Sequence, residues 1–277
     1  MLKHRVITAA VGVPLIILAI WFGKPWPWFT ILIAAAALAG TYEFYHMADF
    51  DRREPLIYLG LLWALALVLS PYYRNHDILP IVISGAMLVS LIALLRYPSR
   101  EQAFRNWAWT IAGAFYVGWM LSYWLNLRGL DDGQNWVYLA MFTTFANDTA
   151  AFFIGRAKGK HRLAPTISPS KTWEGAVGGL LSSIAAAVVI ATILNRLSLQ
   201  LGQIPPFTFK YWQIMLLGFL VSLFAQLGDL VESLLKRNMG VKESGNLLPG
   251  HGGILDRFDS LIFVGAIVYY YVIWAII

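Results

Sequence analysis

The chain alternates long apolar stretches with short polar ones. Nine stretches approach the ~20 mostly apolar residues that a membrane-crossing helix needs: 5–22, 27–48, 56–73, 79–95, 107–126, 136–155, 174–194, 211–235 and 258–277. This pattern predicts an all-α, polytopic integral membrane protein with about nine transmembrane helices. The first stretch follows Met1-Leu2-Lys3-His4-Arg5, as a secretory leader would. Pro25, Trp26, Pro27 and Trp28 come after it in place of a small-residue cleavage site, so it reads as a retained helix.

Composition agrees. Hydrophobic residues make up 58% of the 277 positions and charged residues 13%, against about 45–50% and about 25% in soluble domains. A water-soluble fold of this length has too little interior for that much apolar surface, so the excess must face lipid. The charges are unevenly shared. Loops on the N-terminal side of nine spans hold 16 of the 21 lysines and arginines, and the opposite loops hold 5. That bias puts the N-terminus in the cytoplasm, and hence the chain in the cell (inner) membrane as a multi-pass protein. The same loops account for the net charge of +6, which calls for no nucleic-acid partner. Trp26, Trp28, Trp107, Trp109, Trp136 and Trp212 sit where helix ends should meet the interface, and that position accounts for them.

The absence of cysteine excludes disulfides, thiolate metal sites and a cysteine nucleophile. Five scattered histidines with no i, i+4 pair argue against a histidine zinc site. The whole chain, 1–277, reads as a single membrane-embedded catalytic domain. Residues 5–126 are poor in motifs, 136–277 carry the chemistry, and two long cytoplasmic loops cover about 156–173 and 236–257.

Ionisable groups inside a span are costly unless they are paired or face a wet cavity. Asn147-Asp148-Thr149 interrupts the sixth stretch, and Gln226, Asp229, Glu232 and Ser233 interrupt the eighth. Asp229 precedes Lys236 by seven residues and Asp148 precedes Arg156 by eight. At 1.5 Å per residue both carboxylates lie about 10 Å below the cytoplasmic surface. Two acids at one depth under the two most basic loops point to a site, although each could merely pair with a basic neighbour.

Two loop segments add to it. Pro249-Gly250-His251-Gly252-Gly253 makes a flexible turn before Asp256-Arg257-Phe258-Asp259, whose two acids are spaced i, i+3 at a helix start. Helix capping alone explains either aspartate, but not the turn, His251 and Arg257 gathered at one mouth. Arg156 to Arg162 serves as an inside-positive run or a patch for anionic headgroups. Ser168-Pro169-Ser170-Lys171-Thr172 places hydroxyls and a lysine before a helix, as a phosphate cradle does, without Walker A spacing. Carboxylates beside lysines and arginines suit a magnesium–polyphosphate substrate, and the depth suits an anionic lipid as the second substrate.

Residues 233–259 read S-L-L-K-R-N-M-G-V-K-E-S-G-N-L-L-P-G-H-G-G-I-L-D-R-F-D. This resembles, without gaps, the signature of the phosphatidate cytidylyltransferase (CDP-diacylglycerol synthase) family. Ser168-Pro169-Ser170-Lys171-Thr172-Trp173-Glu174-Gly175 is similar to a second family stretch. The resemblance implies transfer of a cytidylyl group from CTP to phosphatidate, giving CDP-diacylglycerol and pyrophosphate for phospholipid synthesis at a cytoplasm-facing site. It implies Mg²⁺ as cofactor, with a second, monovalent cation and a homodimer left open. It assigns the metal to Asp229 and Asp256, then Asp259 and Asp148. Lys236, Arg237 and Arg257 join the catalytic set. Ser168, Ser170, Lys171, Thr172, Lys242, His251, Gly252 and Gly253 bind substrate. Two rivals are a CTP-dependent lipid-alcohol kinase and an ion-coupled transporter using intramembrane carboxylates.

One residue departs from the signature: Glu243 stands where the family has Asp. Mg²⁺ needs near-octahedral ligands at about 2.0–2.1 Å, a geometry that tolerates an added methylene poorly. Glu243 is therefore expected not to touch the metal. Glu243→Asp should be nearly neutral, and Glu243→Gln should cost no more than about 1–2 kcal/mol of activity. The measurement is rate against Mg²⁺ concentration, and a large shift of the midpoint in Glu243→Gln would place this carboxylate on the metal.

Overall fold

The computed structural model describes residues 2–276 except 23, 49–54, 97–99, 202–208 and 248–251. Each apolar stretch is helical where described. The helices are α1 (Leu2–Trp21), α2 (Trp28–Met47), α3 (Pro55–Val68), α4 (Ile78–Leu94), α5 (Arg100–Gly113), α6 (Met120–Arg128), α7 (Gly133–Lys158), α8 (Trp173–Leu201), α9 (Tyr211–Asn238) and α10 (Leu255–Tyr271). A π-helical segment, Ala114–Trp119, joins α5 to α6 in one rod, and another, Val272–Ile276, extends α10.

Five of these are long and apolar enough to cross a bilayer: α2, α7, α8, α9 and α10 with its extension. That number in one chain marks a polytopic membrane protein. Large side chains on α7, α8 and α9 point outward, among them Phe153, Leu181, Val189 and Leu216, as helices solvated by lipid require. The sequence pattern did not show a two-stranded antiparallel hairpin, β1 (Arg162–Ala164) with β2 (Ser168–Thr172), pairing Arg162 with Thr172 and Ala164 with Ser168. Short strands with no apolar face leave no periodic signal.

The chain forms two compact units, residues 1–125 with 239–257, and 126–238 with 258–277. In the first, the core gathers Trp63, Ala64 and Leu67 of α3 with Ala114. Tyr45 of α2 is buried there, and its hydroxyl donates to the Thr110 carbonyl at 2.7 Å. The second unit is built on close helix crossings. A Cβ at Gly175 would stand 2.7 Å from the Ala151 carbonyl oxygen, and one at Gly179 would stand 2.8 Å from Asn147 Oδ1. This Gly-x-x-x-Gly pair on α8 lets α7 approach backbone to backbone, as small residues do between membrane helices. Gly218 does the same between α9 and α8, where its Cβ would meet Ile184 Cα at 2.8 Å. Ser183 Oγ donates to the Gly218 carbonyl at 2.7 Å.

Because the α8–α9 crossing leaves no room at Gly218, Gly218→Val should cost about 1–3 kcal/mol. It should lower the thermal midpoint of the detergent-solubilised protein by several degrees. Gly85→Ala on α4, where a Cβ meets nothing within 4 Å, should leave the midpoint unchanged or slightly raised. Equal shifts for the two would refute the close crossing.

Candidate functional site

In the second unit the polar residues of α7 and α9 form one connected network. Asn147 is fully buried, and its Oδ1 accepts from Ser222 Oγ at 2.7 Å and from Gln226 Nε2 at 3.4 Å. Its amide nitrogen donates to Asp148 Oδ1 at 2.9 Å. Gln226 also donates to the Ala176 carbonyl at 3.2 Å, tying α8 in. These bonds orient Asp148, because a buried amide left unpaired would be costly.

Asp229 sits next to Gly228, where a Cβ would lie 2.6 Å from the Asp259 carbonyl oxygen. That approach of α10 to α9 brings a third carboxylate near. Asp148, Asp229 and Asp259 thus come from three helices, and each lies within electrostatic reach of the others. Lys171 answers part of that charge, its Nζ standing 2.7 Å from Asp229 Oδ2 with both side chains partly exposed.

The hairpin carries Lys171 into place. Glu174, at the start of α8, accepts from the backbone nitrogens of Lys160 (3.1 Å) and His161 (3.2 Å) and pairs with His161 Nδ1 at 2.6 Å. Thr172 Oγ1 accepts from Gly175 N at 3.2 Å, as a helix cap does. Beside the hairpin lies a cavity of about 610 Å³, within the range of small-ligand sites. Asp148, Asp229, Ser170, Lys171, Thr172, Arg156, Arg162 and Gln226 supply its polar lining. An anionic group entering it meets two guanidinium groups and a lysine as well as the carboxylates.

Other expected residues have partners of their own. Lys236 pairs with the fully buried Glu232 one turn earlier on α9. Arg237 Nε donates to the Ile167 carbonyl at 3.3 Å, bracing the hairpin turn. Ser168 lies half-buried at the start of β2.

The glycine-rich segment belongs to the first unit. Gly252 adopts φ +79°, a conformation suited to glycine. Asp256 Oδ2 accepts from Gly253 N, Ser244 N and Ser244 Oγ, each at 2.9 Å. One oxygen of an expected metal ligand is thereby engaged in ordering the loop. Lys242 and Arg257 are exposed beside it, and His251 lies outside the described residues. Among the described residues, no three carboxylate or imidazole groups converge closely enough to cage an ion. Mg²⁺ does not require such a cage, since one or two carboxylates with substrate phosphates hold it. The acidic set of Asp148, Asp229 and Asp259 beside a cationic wall fits that mode of binding.

Three residues escaped the sequence reading. Glu174 and His161 close the hairpin, and nothing in their spacing announces a pair 13 residues apart. Glu43 is an acid inside the apolar stretch 27–48, and that cost of burial was the available signal.

The sequence profile of the cytidylyltransferase family matches residues 3–275. The chain is 35% identical over 274 residues to the phosphatidate cytidylyltransferase of Bacillus subtilis, covering 97% of each. It is 32% identical over 270 residues to the Staphylococcus haemolyticus protein of that name, covering 95% of this chain and 96% of that one. It is 33% identical over 271 residues to the one from Brucella suis, covering 97% and 92%.

Proposed function

The chain belongs to the cytidylyltransferase family, and we infer that it transfers the cytidylyl group of CTP to phosphatidate, giving CDP-diacylglycerol and pyrophosphate. The observation that carries the reading is the end-to-end match to relatives of that name. The cleft of the second unit supports it with suitable chemistry. In the reaction a phosphatidate oxygen, already largely ionised near neutral pH, bonds to the α-phosphorus of CTP. The bond from that phosphorus to the bridging oxygen breaks, and pyrophosphate leaves. No serine or cysteine nucleophile is needed.

The protein's work is positioning and charge neutralisation. Arg156, Arg162 and Lys171 bind the triphosphate. Ser170 and Thr172 line the same wall. In the first unit, Lys242 and Arg257 offer cationic groups to phosphate. Lys236 and Arg237 keep α9 and the hairpin turn in register. One or two of Asp229, Asp259 and Asp148, together with substrate phosphates, would hold Mg²⁺, which when bound neutralises phosphate charge. Asp256, with Oδ2 already accepting three hydrogen bonds, acts first by ordering the glycine segment.

Nine spans remain our reading of the nine apolar stretches, with α1, α3, α4 and the α5–α6 rod crossing alongside the five long apolar helices. The N-terminus and the hairpin then face the cytoplasm, where CTP is, and the lipid substrate arrives from the bilayer.

Purified protein given labelled CTP and phosphatidate should form a CDP-lipid and release pyrophosphate in equal amount. Release of CDP with a phosphorylated lipid would overturn the reading in favour of a kinase. Lys171→Ala should raise the apparent KM for CTP at least tenfold, while Arg52→Ala and Arg53→Ala should change it little. Similar effects at all three would reduce Lys171 to general surface charge. Asp229→Asn should lower kcat more than tenfold, about 1.4 kcal/mol or more, with the fold intact. Retention of more than about a tenth of the rate at low Mg²⁺ would remove Asp229 from the metal site. For orientation, the cysteine-free chain offers a clean background. Cysteines at the exposed positions Lys160 and Asn246 should be shielded from an impermeant thiol reagent in intact cells, and one at exposed Asp131 should react. The reverse pattern would invert the topology.

A further inference from the structure

Glu43 lies 201 residues before Ser244 in sequence, yet its carboxylate organises the glycine segment within the first unit. It is 2% exposed, on an apolar helix. Oε1 accepts from Ile254 N at 3.0 Å and Oε2 from Leu255 N at 2.9 Å. Oε2 also accepts from Ser244 Oγ at 3.2 Å. Every one of these bonds is received, so the side chain acts purely as an acceptor.

The donors show why an acid is there. The first backbone N–H groups of a helix have no partner within it. At the start of α10, Asp256 reaches back to Gly253 N, leaving Ile254 N and Leu255 N to find acceptors. An open helix start of this kind would otherwise attract a phosphate. Glu43 fills that position instead. The segment is also shaped around it: a Cβ at Gly245 would stand 2.5 Å from Glu43 Oε1, and one at Gly253 would stand 2.5 Å from Oε2. Two glycines therefore answer to one carboxylate. Ser244 links the two acids: its backbone N–H donates to Asp256 Oδ2, and its one hydroxyl proton lies between Asp256 Oδ2 and Glu43 Oε2.

We propose that Glu43 is a positioning residue for cytidylyl transfer, locking the Ser244 loop to the first turn of α10 so that Lys242, Asp256 and Arg257 are presented in one arrangement. Substrate phosphate is thereby directed to Lys242 and Arg257 and away from the helix start. The proposal rests on the functional reading above only for its kinetic arm.

The test uses the full chain in detergent and two readouts. In Glu43→Gln, one carboxylate oxygen becomes an amide donor facing a backbone N–H. Its kcat should fall at least tenfold with the KM for CTP changed less than threefold. Amide exchange followed by mass spectrometry should accelerate at least tenfold in 252–257 while α7 and α8 keep wild-type protection. Glu43→Asp should recover part of both. Ser244→Ala, which removes one link, should shift both readouts in the same direction by a smaller factor. It also carries the test if Glu43→Gln fails to fold. The Glu43→Gln/Ser244→Ala double variant should be less impaired than the product of the two single effects. Wild-type kcat and exchange in Glu43→Gln would overturn the proposal. So would acceleration spread evenly over the chain, or a Ser244→Ala protein identical to wild type. If wild-type protein makes no CDP-lipid, the functional reading fails. The exchange result still decides whether Glu43 holds the segment.

Discussion

The close approach of α7, α8, α9 and α10 at glycine is the constraint on which the second unit depends. Gly175 and Gly179 let α8 meet α7, Gly218 lets α9 meet α8, and Gly228 lets α10 meet α9. Lipid tails are as apolar as the side chains they would replace, so burial of apolar surface alone holds such helices together weakly. Contact at backbone distance and hydrogen bonds between helices supply the rest. The bonds from Ser183 to Gly218 and from Gln226 to Ala176 cross the α8–α9 seam, and the one from Ser222 to Asn147 ties α9 to α7. The crossings also do chemical work. Gly179 abuts Asn147, which orients Asp148, and Gly228 admits the backbone of Asp259 beside Asp229.

A second consequence follows from the scarcity of water between apolar helices. Each polar group must be satisfied by another part of the chain. In the first unit Glu43, Ser244 and Asp256 satisfy one another and the start of α10. In the second, the Asn147 network does the same. The charges at the cavity differ in kind. They are partly exposed and only partly balanced, as a site waiting for a polyanionic substrate should be. Partly exposed pairs such as Lys171–Asp229 contribute little to stability.

Several residues combine structural and chemical duties. Thr172 lines the cavity and caps α8. Arg237 lies in the signature segment and braces the hairpin turn. Substitution at such positions changes shape along with charge, so kinetic effects there need a stability measurement beside them. Glu43 raises the same question, and for it regional exchange separates local positioning from general destabilisation.

The sequence by itself determined the helical class, the membrane setting, the family resemblance and the residue types of the candidate site. Those properties are local: apolar length, charge bias and motif spacing are written along the chain. Asp148 and Asp229 could be named because ionisable groups are expensive inside an apolar span, Lys171 because hydroxyls and a lysine precede a helix start, and the Gly252–Asp256 segment because a glycine turn, acids and Arg257 crowd one short stretch. Tertiary structure alone decided which of them meet. It paired Lys171 with Asp229 across 58 residues of sequence, engaged Asp256 Oδ2 with Ser244 and Gly253, and closed the hairpin through Glu174 and His161. It also brought Glu43 to a helix start more than 200 residues away. No periodicity encodes such meetings, because they depend on where whole helices cross, and the crossings depend on backbone contact at glycines whose partners lie far off in sequence.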